Sequence, residues 1–257
     1  MSFLANKTVI VTGASSGVGR AAAQELAERG ARLVLSARAV DPLKAALEAC
    51  ANASHEAGFP GDHAMIAGSV AKAKVAESLV ATAMNMGAFT GLIHAAGVLA
   101  PGPALWELDP DRFQDVFDAS VHGAWMLIHT AMPALSHMEN SFAVFLGSGA
   151  AEITQPGIAA YCAAKAAEEH MVRQLAVELP QVASMVYRPG IVDTPMQAKA
   201  RASTGEMADK VSAVFSAWHE RGELLTPQES ACALVSLIEG GVRRFHGGIA
   251  TVADASG

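Results

Sequence analysis

The sequence Thr12-Gly13-Ala14-Ser15-Ser16-Gly17-Val18-Gly19 stands between a β-branched run at residues 8–12 and a segment of helical character at residues 18–29. Glycines let the backbone turn sharply and approach a pyrophosphate closely, and the following helix offers unpaired N–H groups and the positive end of its dipole. Many glycine-rich turns are only tight turns, so the motif alone is weak evidence. Its position directly after the first predicted strand indicates a dinucleotide site.

Strands and helices alternate along the rest of the chain. Short runs rich in β-branched or apolar residues predict strands at residues 8–12, 32–36, 63–67, 91–95, 142–146, 182–187 and 249–252. Helices are predicted at residues 18–29, from Asp41 as N-cap onwards, and at 71–86, 110–137, 158–179 and 227–239. The alternation predicts one α/β domain over residues 1–257, a doubly wound parallel sheet that binds its ligand beyond the carboxyl ends of the strands.

One stretch, residues 193–225, interrupts the alternation before the last helix. Its apolar residues recur at roughly helical spacing, and loops of this length are usually functional or disordered. Two interpretations stay open for this insertion, a packed surface helix or a lid over the substrate.

Composition narrows the class of protein. The 257 residues are 51% hydrophobic, which suits one large buried core. The net charge of -7 without a basic stripe argues against nucleic acid as a partner. Three scattered cysteines argue against a disulfide framework, and no apolar run reaches the roughly 20 residues that span a bilayer. We expect a soluble cytoplasmic protein without a membrane or metal site.

The end of the second predicted strand indicates which dinucleotide binds. An acidic residue there would hold the ribose hydroxyls of NAD, but the sequence reads Ser36-Ala37-Arg38. Arg38 is a fixed cation that can bind a 2′-phosphate bidentately. The sequence therefore favours NADP(H) over NAD(H).

Tyr161 and Lys165 lie four residues apart on a predicted helix and hence on one face. A free tyrosine has a pKa of about 10, and a nearby ammonium favours the phenolate, so the pair can exchange protons near neutral pH. Ser148 follows the strand at residues 142–146, at the edge where ligands bind, and its hydroxyl could hold a carbonyl oxygen. Each of these features alone has a structural explanation, so the prediction depends on their combination.

Together with the glycine-rich turn, three features resemble the short-chain dehydrogenase/reductase family: Ser148 thirteen residues before Tyr161, the run Tyr161-Cys162-Ala163-Ala164-Lys165, and the run Arg188-Pro189-Gly190-Ile191-Val192-Asp193-Thr194. The resemblance covers essentially the whole chain. It implies a Rossmann fold of about seven strands in the order 3-2-1-4-5-6-7, a Ser–Tyr–Lys mechanism, and a homodimer or homotetramer. Shorter runs are similar to the branch of sepiapterin and benzil reductases, which reduce a carbonyl of a diketone or a pteridine side chain.

The resemblance also implies roles for individual residues. Tyr161 donates or removes the proton, Lys165 lowers its pKa and holds the nicotinamide ribose, and Ser148 orients the carbonyl. Val192 and Thr194 meet the carboxamide. The other residues expected at the cofactor are Gly13, Ser15, Ser16, Gly17, Val18, Gly19, Arg38, Ser69, Val70, Ala96, Gly97, Pro189 and Gly190.

The chain departs from the family pattern at three positions. Ala95 replaces the asparagine that usually follows the fourth strand, and Ser120 stands where an asparagine usually links the lysine through water to solvent. Ser69 stands where an aspartate near the adenine is common. Ser120 is kept as a catalytic candidate, whereas His94 is interpreted as a core histidine and His122 as a packing or interface histidine.

Three functions follow as hypotheses. The leading one is NADP(H)-dependent reduction of a ketone or α-dicarbonyl; the alternatives are an NAD-dependent alcohol dehydrogenase and a nucleotide-binding protein with little catalysis. The expected pocket is apolar, which suggests a small hydrophobic or aromatic carbonyl or alcohol substrate. Its predicted lining is Leu99, Ala100, Pro101, Ala150, Ile153 and residues 196–225. The long helices at 110–137 and 158–179 are expected to form a subunit interface.

Overall fold

The computed structural model describes residues 2–256 and shows a parallel sheet in the order β3-β2-β1-β4-β5-β6-β7. Its strands are β1 (Thr8–Thr12), β2 (Arg32–Ala37), β3 (His63–Ala67), β4 (Phe89–His94), β5 (Phe142–Leu146), β6 (Ala183–Arg188) and β7 (Ile249–Thr251). The predicted fold class and strand order are confirmed.

Nine α-helices flank the sheet within the described residues. They are α1 (Gly17–Glu28), α2 (Val40–Glu56), α3 (Ala73–Met86), α4 (Pro110–Phe117), α5 (Gly123–Leu135), α6 (Ala159–Glu178), α7 (Pro195–Arg201), α8 (Ala208–Glu220) and α9 (Pro227–Glu239). None of these helices combines the length and the apolar character needed to cross a membrane.

Alternating side chains of the strands build two apolar layers. In β1, Val9 and Val11 pack in the layer with α1 and α9, whereas Ile10 lies in the layer with α3 and α5. A strand presents successive side chains to opposite faces, so a sheet covered on both sides requires apolar residues at every position. All five residues of β1 are buried.

Two predicted helix starts differ in outcome. Asp109 caps α4 directly before the predicted start at residue 110, because its side chain accepts hydrogen bonds from the N–H groups of Asp111 and Arg112. The prediction for Asp41 is wrong: α2 begins at Val40 with Ala39 as N-cap. Pro42 is tolerated within the first turn because the N–H groups there have no intrahelical acceptor.

The helix predicted over residues 110–137 is not continuous. A π-helical segment, Asp118–His122, separates α4 from α5. Such segments are short and often lie at functional sites, and an apolar pattern does not reveal them. Here the π-helical segment contains Ser120, which is fully buried.

The insertion at residues 193–225 leaves and rejoins the sheet at one place. Val192 pairs with Leu225, and the backbone N–H of Asp193 donates to the carbonyl of Leu225 at 2.8 Å. Between these points α7 and α8 fold against an apolar cluster whose buried members are Leu99, Ile158, Ala200 and Val211, with Met196, Phe215 and Tyr161 packed against it. The insertion therefore forms one wall of the region around Tyr161.

Candidate active site

A cavity of about 860 Å³ lies at the carboxyl edge of the sheet. Of the residues predicted for catalysis or cofactor binding, all but one line this cavity: Gly13, Ser15, Ser16, Gly17, Val18, Gly19, Arg38, Ser69, Val70, Ala96, Gly97, Ser148, Tyr161, Lys165, Pro189, Gly190, Val192 and Thr194. Ser120 is the exception, since its neighbour Ala119 reaches the cavity wall while Ser120 is buried behind it. Residues far apart in sequence thus share one space.

The glycine-rich turn at one end of the cavity requires its glycines. Gly13 has a φ of 66°, and a Cβ added there would lie 2.5 Å from the backbone oxygen of Ala95. Gly17 has a φ of 55°, a region that L-residues rarely adopt. The turn can therefore pass close to the end of β4 and still leave room above it.

The start of α1 faces this room without a capping side chain. Its N-cap, Ser16, makes no side-chain hydrogen bond to the first turn. Free N–H groups and the positive dipole end of a helix attract a phosphate. A pyrophosphate fits this end of the cavity.

Arg38 lies at the outer edge of the cavity and forms an ion pair with Asp115 of α4. Both side chains are accessible to solvent, 57% and 43% exposed respectively. The sequence does not reveal Asp115 as a partner of Arg38, because 77 residues separate the two in the chain. A phosphate bound by Arg38 would therefore have the Asp115 carboxylate close to it.

At the other end of the cavity, α6 presents Tyr161 and Lys165 on one face. The Lys165 Nζ lies 5.8 Å from the centroid of the Tyr161 ring. Nζ donates to the Leu146 carbonyl and to Glu168 Oε2, each at 2.7 Å. Burial opposes the charge of Lys165, but the adjacent Glu168 and Tyr161 outweigh it and raise the pKa of the ammonium. These contacts fix the Lys165 side chain in place and favour its charged form.

Ser148 has both a structural role and access to the cavity. Its Oγ accepts from the N–H of Ala150 at 3.2 Å, which caps a short 3₁₀ turn. Its own N–H donates to Glu169 Oε1 at 3.1 Å, and Glu169 forms an ion pair with Arg188 at 2.8 Å. Because the hydroxyl oxygen accepts locally, its proton remains free to point at a ligand.

His94 is a buried polar group behind the cavity. His94 is fully buried, as predicted for a core histidine, and its Nδ1 bonds Thr12 Oγ1 at 2.8 Å. Its Nε2 has no hydrogen-bond partner of standard geometry among residues 2–256. Burial, with the Lys165 charge, lowers the pKa of His94 to about 3, so the ring is neutral.

His122 does not take part in this buried group. Its side chain is 53% exposed and bonds Asp118 Oδ1 at 2.6 Å, one helical turn earlier. The position agrees with a surface role rather than a replacement for the missing asparagine.

The apolar wall of the cavity agrees only partly with the predicted lining. Ala150, Ile153 and Met196 line it, together with Phe215 and Trp218 of α8. The rings of Phe215 and Trp218 pack edge to face with centroids 5.0 Å apart.

The predictions for Leu99, Ala100 and Pro101 as lining are wrong. Leu99 and Ala100 are buried in apolar clusters packed against Tyr161, so they support the ring from behind. Val98 lies on the wall instead. Within residues 2–256, no group of three or more His, Cys, Asp or Glu side chains could hold a metal ion.

The sequence is similar to a known family model and to known oxidoreductases. The sequence model of the short chain dehydrogenase family matches residues 7–205. An uncharacterized oxidoreductase of Schizosaccharomyces pombe is 30% identical over 91% of both chains. The NADPH-dependent pterin aldehyde reductase of Arabidopsis thaliana is 27% identical over 76% of this chain and 78% of its own.

A solved structure shows the same arrangement of the whole chain. A short-chain dehydrogenase/reductase of Saccharomyces cerevisiae superposes with a TM-score of 0.83 at 26% identity and covers 97% of both chains. The similarity therefore extends beyond the motifs to the complete sheet and its helices.

Proposed function

We propose that this chain, which belongs to the short-chain dehydrogenase family, is an NADP(H)-dependent carbonyl reductase. One observation carries the proposal: a single cavity joins an uncapped helix start and glycine-rich turn at one end to Ser148, Tyr161 and Lys165 at the other. A dinucleotide across this cavity would bring its reactive ring to the tyrosine.

Each of the three side chains has a separate task in reduction. The Ser148 hydroxyl donates to the carbonyl oxygen of the substrate, and the Tyr161 hydroxyl gives that oxygen its proton. A bound nicotinamide supplies the hydride for the carbonyl carbon. The held ammonium of Lys165 favours the phenolate that is left behind. Carbonyl, hydride and proton together make the alcohol, and the reverse steps oxidise it.

The choice of NADP(H) is supported by the absence of an acid at the end of β2 and by Arg38 at the cavity edge. The Arabidopsis relative is NADPH-dependent by its name, which points the same way. Asp115 beside Arg38 favours the second candidate, an NAD-dependent alcohol dehydrogenase, because a carboxylate there can accept from ribose hydroxyls.

The substrate we propose is a hydrophobic or aromatic ketone or α-dicarbonyl. Ile153, Met196, Phe215 and Trp218 form an apolar wall near Tyr161. Such walls bind apolar ligands, while a few polar groups fix their orientation.

We also propose a homodimer or homotetramer in the cytoplasm. Trp125 of α5 and Val177 of α6 are large apolar side chains that face solvent in the single chain. Light scattering at micromolar concentration tests the assembly, and a monomer would contradict it.

The test of the function is NADPH consumption with a panel of aromatic diketones. Tyr161→Phe removes only the hydroxyl, so we expect kcat to fall by about 10²–10⁴-fold while NADPH binding is retained. Cys162→Ala on the same helix is a control that should keep most activity. Equal rates for wild type and Tyr161→Phe would remove the proposed mechanism, and no NADPH consumption by either protein would leave a nucleotide-binding protein.

A further inference from the structure

Glu168 is a fully buried acid in direct contact with Lys165. It lies one turn after the lysine on α6, is 0% exposed, and its Oε2 accepts from Nζ at 2.7 Å. Neither the proton transfer nor the cofactor contacts described above use this side chain. A buried ion pair is weak evidence for stability, because apolar residues of similar size often serve as well. Its presence therefore calls for another explanation.

The second oxygen of Glu168 points at His94 from the neighbouring strand. Oε1 lies 3.8 Å from His94 Nε2, and among residues 2–256 neither atom has a hydrogen-bond partner. Buried polar atoms without partners are rare. His94 also faces the backbone carbonyls of Ala119 and Ser120 in the π-helical segment. Side chains of β4 and α6 thus meet the π-helical segment directly behind the lysine.

Glu168 and His94 lie close to the two positions, Ala95 and Ser120, at which the family pattern has asparagines. Ala95 has no polar side chain, and the Ser120 Oγ is buried without a hydrogen-bond partner within the described chain. The only carboxylate bonded to Nζ among the described residues is that of Glu168. The anionic contact of the lysine therefore comes from its own helix, while its other hydrogen bond goes to the Leu146 carbonyl of β5.

Three titratable side chains lie next to Glu168, and a fourth lies next to Lys165. Lys165 and Glu169 face it from α6 and His94 from β4, while Tyr161 faces the lysine. Burial raises the pKa of Glu168 to about 7 against the opposing effect of Lys165. Above pH 7 the ammonium thus has a carboxylate directly beside it, whereas His94 stays neutral.

We propose that Glu168 is a positioning residue that fixes the Lys165 ammonium and offsets part of its charge at Tyr161, with neutral His94 closing the site behind it. The proposal rests on the proposed function of Tyr161. An ammonium favours the deprotonated form of a neighbouring acid, so an anion that offsets the ammonium favours the proton donor that reduction needs. The pair thereby biases the site towards reduction.

The test is the pH dependence of kcat for diketone reduction in Glu168→Gln. Glutamine keeps the size and the acceptor for Nζ but removes the anion. We expect the alkaline limb of the profile to move by about one pH unit towards acid, with NADPH affinity changed less than threefold. Glu178→Gln makes the same chemical change on the exposed end of α6 and should reproduce the wild-type profile.

The possible results distinguish a failure of the Glu168 proposal from a failure of the proposed function of Tyr161. An unshifted limb in Glu168→Gln, or a shift towards alkali, overturns the role of Glu168 even if the variant is less stable. Tyr161→Phe is measured alongside. If Tyr161→Phe retains wild-type activity, the proposed function fails and the Glu168 proposal fails with it. If Tyr161→Phe is inactive, the position of the alkaline limb in Glu168→Gln decides whether Glu168 has the proposed role.

Discussion

The two ends of the cavity are built in different ways. The proposed cofactor end is a local segment in which glycines and the uncapped start of α1 face the cavity. The chemical end gathers side chains from β4, α6 and the π-helical segment, and three of them, Lys165, Glu168 and Glu169, are ionisable and buried. One end of the cavity thus depends on chain conformation, and the other depends on the ionisation of groups that tertiary packing brings together.

The largest effect is expected from a side chain at the backbone-built end. Gly13→Ala adds a Cβ that would lie 2.5 Å from the Ala95 oxygen, at a φ of 66°. Left-handed strain and the clash together should lower the free energy of unfolding by about 3 kcal/mol. Chemical denaturation measures it.

Gly58→Ala is the matched control for strain alone. Its φ is 84°, but nothing lies within 4 Å of an added Cβ, so about 1 kcal/mol is expected. Equal losses at both positions would mean that close packing of the turn against β4 is unimportant.

A smaller effect should appear at the ionisable end, in the pH dependence of stability. The folded-state pKa of Glu168 is raised from 4.5 to about 7, so its contribution to stability is present below pH 4.5 and lost as pH rises through 7. Glu168→Gln stays neutral throughout. Relative to wild type, the variant should therefore gain on the order of 2 kcal/mol between pH 5 and pH 8. Urea unfolding at the two pH values measures the gain, and no change between them would show that Glu168 is not buried as a titrating acid.

The smallest effect is expected at the exposed edge of the cofactor end. Arg38→Ala should weaken NADPH binding about tenfold and leave NADH binding nearly unchanged, because only NADPH carries the 2′-phosphate. Asp115→Asn frees the arginine from its carboxylate and should strengthen NADPH binding a few-fold. Fluorescence titration with both cofactors decides the point; unaltered NADPH affinity in Arg38→Ala would remove the argument for this cofactor.

The same contrast explains what could be predicted from the sequence. Strand order, the glycine-rich turn and the Ser148–Tyr161–Lys165 set depend on local patterns and spacing, and the structure brings these residues into one cavity. Asp115 and His94 reach the site only through tertiary contacts, which a single sequence does not display. Glu168 had a readable signal, since an acid three residues after Lys165 lies on the same helix face.

Other misses have equally specific causes. The π-helical segment inserts into a run that is apolar at ordinary helical spacing, so the predicted helix over 110–137 hid a break. Leu99 and Ala100 are apolar and close in sequence to the site, but hydrophobicity does not tell a cavity wall from the layer behind it.

The pairing of Val192 with Leu225 brings the two ends of the insertion together, so the insertion is attached to the rest of the fold at one place. Since entry and exit are adjacent, we expect that residues 195–224 can be exchanged for those of a relative without altering the register of β6 and β7. If the proposed function holds, such a chimaera should acquire the donor's choice of ketone while keeping its original dinucleotide.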